Sequence, residues 1–276
     1  MQSIVSTDWL QKHINDPKVI LLFVMGLKKS QADLAEANVQ IPGSRWFDLK
    51  TTFQDPASSL PNTVPDPADF EKKVQALGVN SDSTVILYDA NGIYASPRAW
   101  WLFRVMGHKK VMVLNGGLPA WQAAGGATEA FQENPAQAGT FTAQLQLDQI
   151  QYTDAMLENT KQARAQVLDA RSAGRFVGTE PEPRAGLSSG HIPGSKSLPF
   201  TKVLKDGKFK SKEELQEIFK ALELDEKPLV FSCGSGITAC ISLLAAEQVL
   251  DHPKSVYDGS WTEWATTEGL PIEKDG

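Results

Sequence analysis

The chain has only two cysteines, and both lie in the stretch FSCGSGITAC, residues 231–240. Cys233 directly follows PLVFS (228–232), a short apolar run that predicts a buried strand. Beyond GSG, the residues Ile237, Cys240, Ile241, Leu244 and Ala245 recur at helical spacing. Cys233 is therefore expected at the carboxyl end of a strand, in the turn into a helix, where open α/β sheets place ligands. Gly234 and Gly236 let the backbone curl so that successive N–H groups point inward as an anion-binding nest. That nest and the positive end of the following helix stabilise negative charge on the sulfur, as a nucleophile requires, and the glycines leave the sulfur open to a substrate. A free cysteine is also a common small buried hydrophobe. Position alone leaves the two readings even; the glycines favour the nucleophile, because a core cysteine needs no flexible loop after it. Cys240 falls on the helix stripe that faces the sheet and reads as packing. A disulfide between the two is not expected, since loop and helix hold their Cα atoms beyond bridging distance.

A second constellation is GRFVGTEPEPRAGLSSGHIPGS (174–195), whose Gly, Pro and Ser content predicts a long ordered loop. Arg175 and Arg184 could clamp a carboxylate through paired charge-assisted hydrogen bonds. Read alone, the stretch favours two surface arginines offset by Glu180 and Glu182. The four histidines are scattered without metal-ligand spacing, and His191, just before IPGS, reads as a turn-stabilising residue. No phosphate-binding or dinucleotide-binding glycine motif is present, so no metal and no cofactor is expected.

Composition bounds the rest. The net charge of −6 gives no footprint for nucleic acid or an anionic membrane. No window approaches a membrane span, and residues 1–25 lack the pattern of a secretory leader. Two cysteines are too few for a disulfide framework. A cytoplasmic protein with reduced thiols is the expectation.

The elements that must position these residues occur twice. Ile41-Pro42-Gly43-Ser44 recurs as Ile192-Pro193-Gly194-Ser195. VILYDANGIYAS (85–96) lies over LVFSCGSGITAC (229–240) with Asp89 at the place of Cys233, and GGLPAWQAAGG (116–126) lies over GSWTEWATTEG (259–269). Three blocks in one order at nearly one offset indicate a tandem duplication. In each half, short apolar strands such as 19–24, 84–89, 167–170 and 228–232 alternate with helical patterns, including 66–78 capped by Asp66 and 211–222 capped by Ser211. That alternation predicts an α/β fold in which each half is a mostly parallel sheet flanked by helices. The expected division is a domain over 1–126, a linker over 127–148 and a domain over 149–276.

The duplication, the paired IPGS turns, CGSGITAC and YDGSWTEW (257–264) resemble the two-domain rhodanese family of sulfurtransferases, along essentially the whole chain. The loop CGSGIT, with GRFVGTEPEPR and SPRAWWLFRVMGH (96–108), is similar to its 3-mercaptopyruvate branch. The resemblance implies that Cys233 accepts sulfur as a persulfide, cradled by the backbone N–H groups of Gly234, Ser235, Gly236, Ile237 and Thr238. It implies that Arg175 and Arg184 hold the substrate, that Ser235 relays a proton, and that Asp89 marks a catalytically silent first half. The implied donor is 3-mercaptopyruvate, or alternatively thiosulfate; the implied acceptor is a thiol, such as a thioredoxin-type protein, or cyanide. In one place the sequence departs from that branch, which commonly has a histidine, just before an MLP-like stretch, that works with the loop serine and an aspartate. Here SSLPNTVP (58–65) puts Asn62 at that position. An amide cannot accept and return a proton, so either water carries it or the substrate preference has moved away from 3-mercaptopyruvate.

Overall fold

The computed structural model describes residues 2–25 and 39–275. The chain forms two compact units: one of Met1–Pro56, Val64–Gln146 and Asp206–Phe209, the other of Ala57–Thr63, Leu147–Lys205 and Lys210–Gly276. The first contains strands β1 (Ile4–Val5), β2 (Val19–Met25), β3 (Arg45–Asp48), β4 (Thr84–Asp89) and β5 (Val111–Leu114), with helices α1 (Thr7–His13), α2 (Pro67–Ala76), α3 (Ser96–Val105) and α4 (Gly117–Ala123). The second contains β6 (Ile150–Gln151), β7 (Gln166–Asp169), β8 (Lys196–Ser197), β9 (Leu229–Ser232) and β10 (Lys254–Tyr257), with α5 (Thr153–Gln162), α6 (Ala173–Val177), α7 (Lys212–Lys220), α8 (Ile237–Glu247) and α9 (Ser260–Thr266).

Both sheets are parallel, in the orders β1-β5-β4-β2-β3 and β6-β10-β9-β7-β8. Position for position these are one topology, so the repeat in sequence is a repeat in fold. The central strands β4 and β9 are buried almost end to end because helices cover both faces. On one face of the second sheet Val167, Val230 and Tyr257 pack with Met156, Trp261 and Trp264; the first sheet matches this with Leu21, Ile86, Leu114 and Trp121. The IPGS turns are copies as well: Gly43 and Gly194 both have φ +74°, and Ser44 and Ser195 each donate Oγ–H to the preceding Ile carbonyl at 2.6 Å. Only glycine holds that left-handed corner without steric penalty. Asp66 caps α2, accepting from Ala68 N, and Ser211 caps α7 in a reciprocal capping box with Glu214.

Two segments differ from the sequence expectation. Most of 127–146 lacks regular structure, as low periodicity predicts of a linker, yet it belongs to the first unit, where Phe141 is buried against Phe70, Phe103 and His108. The stretch 174–195 begins inside a helical turn, because Ser172 Oγ caps α6 and Gly178 at φ +93° ends it. Among the described residues no helix is long and apolar enough to cross a membrane.

Candidate active site

Cys233 sits at the carboxyl end of β9, the middle strand of its sheet, and a loop of three residues carries the chain into α8. Gly236 caps that helix at φ +81°, and this curl turns its N–H onto Cys233 Sγ at 3.1 Å. The sulfur therefore faces the helix N-terminus, where partial positive charge gathers. Contrary to the expectation of an open sulfur, Cys233 is only 2% exposed. Gly234 and Ser235, the next two residues of the loop, are half-buried. Ile237 is buried as the first residue of α8, and Thr238 follows half-buried in its first turn. Cys240 is fully buried, donates its S–H to Gly236 O, and is not joined to Cys233 by a disulfide.

A second loop fixes the first by its backbone. The N–H groups of Trp261 and Thr262 donate to the carbonyls of Cys233 (2.9 Å) and Gly234 (3.0 Å), and Ser260 Oγ accepts from Cys233 N at 3.4 Å. Ser260 adopts φ +51°, a left-handed conformation that side chains other than Gly, Asn and Asp seldom take. Its counterpart in the first unit is Gly117, at φ +56°.

Both arginines reach Gly234, by different routes. The Arg175 guanidinium lies against its α-carbon, with Nη2 3.0 Å from where a Cβ would stand. Arg184 donates to Thr262 Oγ1, which donates to Gly234 O at 2.6 Å. The acidic residues between them are not surface counter-charges of one kind. Glu180 is exposed and accepts from Ser172 Oγ, but the Glu182 side chain is only 2% exposed and bridges Arg175 (3.0 and 2.5 Å) to Arg171 (2.7 Å). Arg171 is itself buried, clamped by Asp169 and Gly190 O and stacked 4.2 Å from the Trp261 ring centroid. Burial opposes its charge, but Asp169 and Glu182 outweigh that and hold Arg171 above its ordinary range. Arg171, Ser260 and Thr262 escaped the sequence reading, in which Glu182 is a surface counter-charge. For Ser260 a signal existed, in the match of GG with GS between the two halves. His191 stacks on Phe176 at 3.9 Å and bonds its carbonyl through Nδ1, which suits the structural part expected of it.

Asp89 occupies the equivalent position in the first unit and shows what the nest does with an anion. It is buried, and its carboxylate accepts from the N–H groups of Tyr94 (3.0 Å), Ala95 (2.7 Å) and Ser96 (3.0 Å) and from the Ser96 hydroxyl. Burial nevertheless pushes its carboxyl up to about 6. Here the chain supplies the anion itself.

Known proteins carry the same architecture. Residues 6–124 and 150–267 each match the rhodanese-like domain. The chain is 38% identical to 3-mercaptopyruvate sulfurtransferase of Escherichia coli K12, covering 98% of this chain and 97% of that one. It is equally 38% identical to thiosulfate sulfurtransferase of Bos taurus, covering 95% and 92%. Among solved structures, the crystal structure of SseA from Escherichia coli, a 3-mercaptopyruvate sulfurtransferase, superposes with a TM-score of 0.84 at 33% identity, covering 95% of this chain and 99% of that one. With both halves matched and near-complete coverage, this chain belongs to the rhodanese family, as a tandem of two rhodanese-like domains.

Proposed function

We propose that the chain is a sulfurtransferase that carries sulfur on Cys233, taking it from 3-mercaptopyruvate and passing it to a thiol, such as that of a thioredoxin-type protein, or to cyanide. The observation that carries the reading is the contrast between the two nests: a carboxylate fills the first, whereas the second presents an N–H to a thiol beside two arginines. The Cys233 thiolate attacks the donor sulfur; the carbon–sulfur bond breaks, and its electron pair leaves as the enolate of pyruvate, which takes a proton from water. The outer sulfur of the persulfide then lies at the mouth of the loop from Gly234 to Thr238. The acceptor attacks it, and the Cys233 thiolate is restored in a two-step exchange. Arg175 and Arg184 suit a donor bearing a carboxylate beside a carbonyl, and oriented donors stabilise the enolate as its charge develops.

Equal identity to a thiosulfate sulfurtransferase supports a second reading, with thiosulfate as donor. Against it, the loop residues Gly234, Ser235 and Gly236 carry no cation for a doubly charged substrate. Comparing kcat/KM for the two donors, with cyanide as common acceptor, separates them; a preference for thiosulfate overturns the first reading. Intact-mass measurement after donor treatment should show a gain of one sulfur, about 32 Da, on Cys233 and none in Cys233→Ser. A gain on Cys240 would refute the assignment.

A further inference from the structure

One side chain from far along the sequence addresses the Cys233 loop. Asn62 lies in the segment Ala57–Thr63 taken up by the second unit. It is buried, and its Nδ2 stands 3.0 Å from the Ser235 carbonyl oxygen and 3.1 Å from Ser235 Oγ. The carbonyl fixes which way the amide points. A carbonyl oxygen only accepts, so the atom facing it must be the NH2 nitrogen and not the amide oxygen. That nitrogen has two hydrogens, one for each contact. Ser235 Oγ is thus an acceptor towards Asn62, and its own hydrogen is directed to another partner. Asn62 holds φ +62°, a conformation asparagine tolerates better than most residues. The first unit has a left-handed residue at the matching place: Asp206, one offset of 144 beyond Asn62, has φ +52°, and the next residue, Gly207, accepts from Ile93 N at 2.9 Å in the Asp89 loop.

We propose that Asn62 is a positioning residue for sulfur transfer: by donating to both the backbone and the hydroxyl of Ser235, it steadies the Cys233 loop and sets Ser235 as a hydrogen-bond donor to the leaving group of the sulfur donor. This rests on the sulfurtransferase reading above. No proton changes owner in this role. Ser235 solvates the charge that develops on the enolate oxygen, and the proton that completes pyruvate comes from water. An amide does not titrate, so the polarity of the Asn62–Ser235 pair stays the same across the working pH range.

Two substitutions at position 62 separate this role from mere support of the chain. Asn62→Gly keeps the left-handed backbone and removes the donor. Asn62→Asp keeps the backbone and the shape, but its ionised carboxylate only accepts, so the Ser235 hydroxyl must turn towards it and away from the substrate. The flanking titratable and charged groups, Cys233, Arg175 with Glu182, and Arg184 through Thr262, are common to both variants. The expected result is a fall in kcat of about tenfold for Asn62→Gly, the worth of one hydrogen bond, with KM little changed. Asn62→Asp should be slower still at about pH 8 and should climb towards the glycine variant as the pH falls and its carboxyl regains a proton. In a Ser235→Ala background the two variants should differ by less than about twofold. Rates are normalised to the fraction of Cys233 that gains sulfur on prolonged exposure to 3-mercaptopyruvate, so partial misfolding leaves the comparison intact. Equal rates for the two variants at every pH, or a difference between them that persists without the Ser235 hydroxyl, would overturn the proposal. Failure of the unaltered protein to load sulfur at all would instead overturn the sulfurtransferase reading.

Discussion

Replacing Glu182 by Gln tests whether the buried chain Asp169–Arg171–Glu182–Arg175 organises Arg175, the arginine proposed to hold the substrate. The substitution keeps the side-chain shape and one acceptor oxygen. Its NH2 group, however, must face a guanidinium that formerly found a carboxylate oxygen, so one contact becomes donor against donor. The four buried or half-buried charges also lose their balance, leaving one positive charge in excess. Removing one member of a buried pair costs about 3–5 kcal/mol when the partner is stranded. Arg171 is not stranded, since Asp169 at 2.5 Å and Gly190 O at 2.7 Å remain. Arg175 is 21% exposed, so water recovers part of its loss. We therefore expect about 2–3 kcal/mol, which lowers the melting transition of the second unit by about 10 °C at roughly 4 °C per kcal/mol. Activity should fall further than stability alone explains. Without its bidentate anchor, Arg175 loses its fixed approach to Gly234, and one charge-assisted contact to the donor, worth about 1.5–3 kcal/mol, weakens. The expected change is a rise in KM for 3-mercaptopyruvate of about tenfold or more, with kcat less affected. Calorimetry and steady-state kinetics on the same preparation check both numbers. A variant that melts within about 2 °C of the unaltered protein and keeps its KM would show that Glu182 does not position Arg175.

Two further predictions concern the backbone around the nests. The folded-state value of Asp89, about 6, lies above its ordinary 3.8, so the native state binds that proton more tightly than the unfolded chain does. Its contribution to stability is then fully present below about pH 4 and is lost as the pH rises through about 6, with a span of about 3 kcal/mol. Asp89→Asn, which never ionises, should flatten that part of the stability profile in urea titrations between about pH 4 and pH 7; an unchanged slope would refute the assignment. At Ser260, Ser260→Ala keeps the strained backbone and discards the hydrogen bonds to Cys233 N and Tyr257 O, so it should destabilise by about 1–2 kcal/mol. Ser260→Gly discards the same bonds and also relieves the left-handed strain, as at Gly117, so its loss should be smaller by about 1 kcal/mol; equal losses in denaturant melts would mean that the conformation is unstrained.

The duplication explains both what the sequence disclosed and what it hid. Features that repeat with their chemistry intact were legible: the IPGS corners, the strand-to-loop-to-helix placement of Cys233, and the alignment of Asp89 with it all rest on local patterns of glycine and apolar residues. Features made by contacts between distant segments were not. Nothing in PEPR distinguishes a buried Glu182 from an exposed one, because its burial depends on Arg171 and Trp261, which the fold brings to it. Nothing local in SSLPN shows that Asn62 belongs with a loop 173 residues later, because no periodicity spans that distance; only the family resemblance points from position 62 to the loop serine. Yet the exchange is reciprocal. The second unit takes up Ala57–Thr63 against its cysteine loop, and the first takes up Asp206–Phe209, where Gly207 O meets Ile93 N and Asn115 Oδ1 meets Phe209 N. An offset of 144 relates Asn62 to Asp206 and also relates Asp89 to Cys233, so in each copy a distant segment with a left-handed residue reaches the loop after the central strand. What diverged is the occupant of the nest. In the first copy a tethered carboxylate accepts from three loop N–H groups, whereas in the second a thiol, at which we propose that sulfur is carried, accepts from the N–H of Gly236.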